Sequence, residues 1–235
     1  MSILDWAVII IILYATLTGV YRGFIHSACS LGAFFLSWGS AALFSPMLSA
    51  RFVKGKGVFD FVYNYAEGSE QLTHFEDTKL LVENLSADKI KELVTESNLP
   101  APFSSLMTSN ITHGVFSDQG VTTLGEYYNL TIANVCVNIL SFVVVFFIAR
   151  AILAFAINAA NYTFKFPVLR MLDSTIGGVF GFLSGLFTTY AVFILTPLVL
   201  IIQPIQQIYD IIYGSAFADF FYSSNFLLNF IRGTI

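Results

Sequence analysis

Four long apolar runs alternate along the chain with short polar breaks and one long polar stretch. The runs cover Ile3 to Val20, Phe24 to Leu48, Ile132 to Ala160 and Ile176 to Ile202. Each approaches or exceeds the ~20 residues a helix needs to cross a hydrocarbon core of roughly 30 Å. Charges inside them are few: Asp5 near the start of the first and Arg150 in the third. A helix satisfies its own backbone hydrogen bonds where lipid offers no partners. The pattern therefore predicts an all-α, multi-pass membrane protein with four transmembrane helices. The opening Met1-Ser2-Ile3-Leu4-Asp5 has no Lys or Arg before its apolar run, and no small-residue cleavage site follows promptly. The first run thus reads as a retained helix and not as a signal peptide.

The break Gly19-Val-Tyr-Arg-Gly-Phe24 separates the first two runs. A straight helix through it would hold Arg22 deep in lipid at a cost of several kcal/mol. A tight turn, loosened by the flanking glycines, places Arg22 at the water interface instead. Residues 1–50 are thus expected to form one helical hairpin and residues 131–203 a second. The polar stretch between them, 51–130, carries most of the acids and is expected to be a small, partly helical insert outside the bilayer. In it Ser86 suits a helix cap, with Asp88 in the first turn and an apolar stripe of Ile90, Leu93 and Val94. Residues 204–235, after Pro204, repeat Ile205, Ile208, Tyr209 and Ile212 at helical spacing. Phe217, Phe220 and Phe221 follow, with Asp210, Asp219 and Arg232 interspersed. This tail reads as interfacial and amphipathic, not as a fifth span. Arg22, Lys165 and Arg170 at the hairpin turns and Arg51, Lys54 and Lys56 at the insert count about equally under the positive-inside rule, and both turns are assigned to the cytoplasmic side.

Composition removes most alternatives. The 235 residues are 56% hydrophobic and 11% charged, with a mean hydropathy of +0.75; soluble domains carry about one quarter charged residues. The lipid bilayer is therefore an obligatory partner. The net charge of −4 and the lack of a basic cluster exclude nucleic acid. Cys29 and Cys136 lie in apolar runs and read as small hydrophobes. His26, His74 and His113 lack metal-ligand spacing, and no phosphate-cradling glycine loop occurs, so no cofactor or metal is expected. Gly181-Phe-Leu-Ser-Gly185 departs from the nucleophile-elbow pattern, and Ser184 reads as a small packing residue. A non-enzymatic protein is expected.

The candidate functional residues are few. Gly177, Gly181 and Gly185 recur every four residues on one helix face, widened by Gly178. Such a face lets another helix backbone approach closely, either within the chain or from a second copy or membrane-protein partner. Run two has a weaker version in Ala33, Ser37 and Ala41. Asp5 suits a helix N-terminus. Arg22 and Asp173 fall on the same side of the membrane, where a salt bridge between them is geometrically allowed. Arg150 is the candidate intramembrane charge; snorkelling to the interface is the favoured reading over a wet cavity or an ion path. Arg150, Asn134, Asn138 and Asn158 are the only polar groups available for the midplane site of a small channel or transporter.

The segments Leu4-Asp-Trp, Gly19-Val-Tyr-Arg-Gly-Phe-Ile25 and Leu172-Asp-Ser-Thr-Ile-Gly-Gly-Val-Phe-Gly-Phe-Leu-Ser-Gly185 together resemble the bacterial colicin V production protein (CvpA) family. The resemblance covers about Met1 to Leu48 and Ile132 to Ile202. The matching motif positions are Asp5, Arg22, Gly23, Asp173, Gly177, Gly181 and Gly185. Ser174 stands where the family usually has Arg, and the insert is longer than in short members. The resemblance implies a multi-pass protein of the bacterial inner membrane, linked to toxin production or export and to envelope homeostasis.

Overall fold

The structure is a computed structural model that describes residues 2–55, 57–160, 170–202 and 206–235. Lys56, Lys165, Pro204 and Ile205 of the sequence reading lie outside them. Ten α-helices occur among the described residues: α1 (Ile3–Arg22), α2 (Phe24–Lys54), α3 (Gly57–Ala66), α4 (Ala87–Glu96), α5 (Phe103–Thr112), α6 (Leu124–Ala160), α7 (Arg170–Phe193), α8 (Thr196–Ile202), α9 (Gln206–Tyr213) and α10 (Ala216–Ser223). Among the same residues strand structure is limited to one isolated bridge, Leu81 to Thr123. Four helical stretches are long and apolar enough to cross a membrane: α1, α2, α6, and α7 continued by α8.

The helices outrun the apolar runs. The second reaches Lys54, and the third begins at Leu124. The α6 extension buries Leu124, Tyr127 and Tyr128, and that of α2 half-buries Phe52 and Val53, so apolar run length alone understates both helices. Each of these helices also contributes to both of the compact units into which the chain divides. The units therefore do not follow the boundaries at 50, 130 and 203.

The first unit comprises residues 1–44, 142–195 and 206–227. Its centre is the pairing of α1 with α7. Aromatic rings tie in α2, α6 and the tail: Phe34 meets Phe146 at 5.4 Å and Phe187 at 5.3 Å between centroids, and Tyr190 meets Phe221 at 4.8 Å. Such pairs add ~0.5–1.5 kcal/mol beyond the area they bury. The tail forms two short helices, and Asn225 Nδ2 donates to the Tyr190 carbonyl at 2.9 Å.

The second unit comprises 45–141, 196–205 and 228–235. Ser86 caps α4 by accepting from the Lys89 N–H, and Ile90, Leu93 and Val94 are buried. The core is completed by the extended start of α6, where Leu124, Tyr127, Tyr128 and Ile132 are fully buried with Phe103 and Met107. Most of this core, Phe103, Met107, Leu124, Tyr127 and Tyr128, comes from the polar stretch itself, and Ile132 from the apolar run that follows. The C-terminal segment is pinned within this unit by two amides. Asn138 Nδ2 donates to the carbonyls of Arg232 at 2.8 Å and Thr234 at 3.1 Å, and Asn110 Nδ2 to that of Gly233 at 2.9 Å.

Candidate functional site: the hairpin turn and an arginine-bearing cavity

The α1–α2 turn is a single residue. α1 ends at Arg22, α2 starts at Phe24, and Gly23 between them has φ 84° and ψ 179°. That backbone region is essentially restricted to glycine. Asp173, near the start of α7, accepts the Phe24 N–H at 2.9 Å, so its carboxylate caps the N-terminus of α2. A Cβ on Gly23 would run into this carboxylate. The salt bridge allowed by the sequence is not the contact formed. Arg22 Nη1 donates to Asn158 Oδ1 and to His26 Nε2, both at 2.9 Å. A guanidinium only donates, so His26 Nε2 is the acceptor and carries no proton. Asp173 accepts a backbone N–H, a kind of partner that a search for opposite charges overlooks.

The glycine face of α7 is filled from within the chain. A Cβ on Gly177 would lie 2.5 Å from the Gly19 carbonyl oxygen, and one on Gly181 2.5 Å from that of Ala15. On Gly185 it would meet Ile12 Cα at 3.0 Å, and on Gly178 the Val20 side chain at 2.8 Å. The groove thus receives α1 backbone to backbone. Ser174 Oγ donates to the Val20 carbonyl at 2.8 Å and fastens the same pair near the turn.

Asp5 lies at the opposite end of α1. Its carboxylate accepts the Ser2 N–H at 2.7 Å in a capping box, which meets the expectation of a helix cap. It also accepts Ser215 Oγ–H at 2.6 Å and the Phe217 N–H at 3.2 Å, at the start of α10. One buried acid therefore serves two helix N-termini. The second role was hidden in the sequence because its partners lie more than two hundred residues away.

Arg150 bonds to α2. It sits eight residues before Asn158, about 12 Å along the helix at 1.5 Å per residue. Its Nη1 donates to the Ser30 carbonyl at 3.0 Å and its Nη2 to Ser30 Oγ at 2.8 Å. These two bonds direct the guanidinium across to α2. Arg150 lines a cavity of about 380 Å³ within the first unit, together with Ile10, Tyr14, His26, Ser27 and Ser184. Ser184 is 8% exposed, and its hydroxyl hydrogen-bonds to no described residue. Of the asparagines considered for a midplane site, Asn158 serves Arg22 and Asn138 holds the C-terminal segment, so neither lines the cavity. Among the described residues no cluster of His, Cys, Asp or Glu could hold a metal ion.

Four membrane-length helices, a single-glycine hairpin and a glycine-lined α1–α7 pairing define a helical membrane protein. The chain belongs to the colicin V production protein family, whose sequence pattern matches residues 4–74 and 105–225. The unmatched stretch between them contains α4. No curated protein and no solved structure matches the chain.

Proposed function

We propose that the chain is a non-enzymatic protein of the bacterial inner membrane that supports production or export of a toxin of the colicin V type, acting by packing against a second copy or a membrane-protein partner. Its family membership carries this reading. Because α1 fills the α7 glycine groove, the partner face is assigned to α2. Cys29, Gly32, Leu36, Gly39 and Leu43 recur there at alternating steps of three and four, on one stripe. Cys29, Leu36 and Leu43 are exposed, and a Cβ on Gly32 or Gly39 would meet nothing within 4 Å. Small residues among leucines let a second helix approach closely. Ala33, Ser37 and Ala41, the weaker small-residue row, are buried within the chain.

Two experiments test the reading. Expression in a toxin-secreting strain lacking its own family member should restore secreted toxin activity; no restoration by a well-expressed chain contradicts the export role. Crosslinking through the native Cys29 in membranes should capture a partner, and Gly39→Leu should abolish capture. A monomer at every crosslinker length would rule out the packing role.

The Arg150 cavity supports a second reading, a small channel or transporter. Solute flux in proteoliposomes that Arg150→Ala abolishes would favour it, whereas flux equal to that of empty vesicles would eliminate it.

A further inference from the structure

The Arg150 cavity has a charge balance that calls for a ligand. A guanidinium inside a membrane-length helix is costly unless paired, and such residues pair with an opposite charge or with backbone carbonyls. Arg150 has only the neutral half of that arrangement. Ser30 takes two of the five guanidinium N–H donors, and none of the residues lining the cavity is acidic. Among the described residues the ion pairs are Lys79–Glu76 and Lys89–Glu92, both remote in sequence from Arg150. The Ser184 hydroxyl is a second donor with no bond among the described residues, nine-tenths buried and open to the same cavity. Three other hydroxyls of the lining are committed: Ser27 donates to the Gly23 carbonyl, Thr18 to that of Tyr14 and Thr188 to that of Ser184. Arg150 and Ser184 thus bring unspent donors together from α6 and α7.

The rest of the lining selects the kind of anion. Ile10, Ile11, Tyr14 and Ala15 make one wall apolar. Ile10 and Tyr14 are 61% and 74% exposed, so on a membrane-length helix the rim of the cavity faces lipid. A ligand that arrives from the bilayer brings an apolar tail to this wall. Its oxyanion would complete the bonding of Arg150 and Ser184. The volume falls within the range of small-molecule pockets.

We propose that this cavity binds the acid head of a membrane amphiphile, a carboxylate or phosphate carried on an apolar chain, with Arg150 and Ser184 as donors and Ser30 holding the guanidinium in place. The site goes beyond the export reading and stands independently of it. Charge-assisted hydrogen bonds in a water-poor site supply the selectivity for an anion over a neutral head.

The test uses the full chain in phosphatidylcholine nanodiscs with diazirine-tagged palmitic acid, phosphatidylglycerol and hexadecanol. Adducts are located by mass spectrometry. One acid probe or both should label Tyr14 and the residues around Ser184. The matching untagged acid should displace the label, and hexadecanol should not. Labelling by palmitic acid alone identifies a free acid as the ligand, and labelling by phosphatidylglycerol alone a lipid headgroup. Arg150→Gln should lower acid labelling about tenfold, with partial retention in Arg150→Lys. Equal labelling by acid and alcohol in the unsubstituted chain overturns the proposal, as does acid labelling confined to lipid-facing positions such as Leu13 and Leu17. Both contrary results are read without any variant.

Discussion

Asp173 accepts the backbone N–H of Phe24 at 2.9 Å, closing the one-residue turn that Gly23 makes between α1 and α2. Two independent constraints meet at Gly23. Its backbone lies in a region that costs a side-chain-bearing residue ~1–3 kcal/mol, and the Asp173 carboxylate occupies the space a Cβ would need. Gly23→Ala is therefore expected to destabilise the chain by at least about 1–3 kcal/mol, read as a lower unfolding midpoint in detergent. Asp173→Asn retains an acceptor oxygen and should cost less than Asp173→Ala. Equal loss in both would assign the contact to charge and not to the hydrogen bond.

The glycines of α7 and α2 should respond in opposite ways. At Gly181 even a methyl group meets the α1 backbone, and overpacking of this kind costs ~1–3 kcal/mol. At Gly39 the space is open, and alanine favours a helix over glycine by up to about 1 kcal/mol. Gly181→Ala should lower the unfolding midpoint, and Gly39→Ala should leave it unchanged or raise it. Equal sensitivity at both positions would contradict the α1–α7 pairing.

The hydrophobic pattern made much of this architecture legible. The four membrane-length helices follow from apolar run length, and the α7 groove from a four-residue glycine period, since both are local properties. What fills the groove was not legible, because α1 lies more than a hundred and fifty residues away and its contribution is bare backbone at Ala15 and Gly19. The Arg150 contact was missed for a related reason. A lone charge in an apolar run suggests escape to water, whereas Ser30, a residue with no special signal in sequence, supplies both acceptors. Asn158 and Asn138, two of the three asparagines considered for a midplane site, have contacts of another kind. The Asn158 amide oxygen accepts from Arg22, and the Asn138 amide donates to C-terminal carbonyls.

Asp5 should act as a clasp for the tail. Its carboxylate links the start of α1 to Ser215 and Phe217 at the start of α10. Asp5→Ala is expected to expose the 206–227 segment to limited proteolysis while α1 and α7 stay protected. Asp5→Asn should give an intermediate pattern, since it keeps acceptor capacity at one oxygen. Unaltered cleavage kinetics in Asp5→Ala would show that the aromatic contacts of Tyr190 and Phe221 hold the tail by themselves.

The C-terminal segment offers a parallel case in the second unit. Asn138→Leu removes both donors to Arg232 and Thr234 and leaves their carbonyls without that amide. Hydrogen exchange at residues 231–235 should accelerate, by roughly the tenfold that ~1.4 kcal/mol represents, with little change in α4 and α5. Uniform acceleration across the unit would instead make Asn138 a determinant of the whole core.

The two-hairpin topology underlies every functional statement above, and side-specific labelling tests it most directly. Single cysteines at Tyr21, Glu83 and Tyr213 in a chain with Cys29 and Cys136 replaced by Ala are probed in sealed, right-side-out membranes with an impermeant maleimide. Glu83→Cys and Tyr213→Cys should react from outside, while Tyr21→Cys should react only after permeabilisation. Reaction of Tyr21→Cys and Glu83→Cys from the same side would contradict an arrangement of two membrane hairpins joined by an external insert.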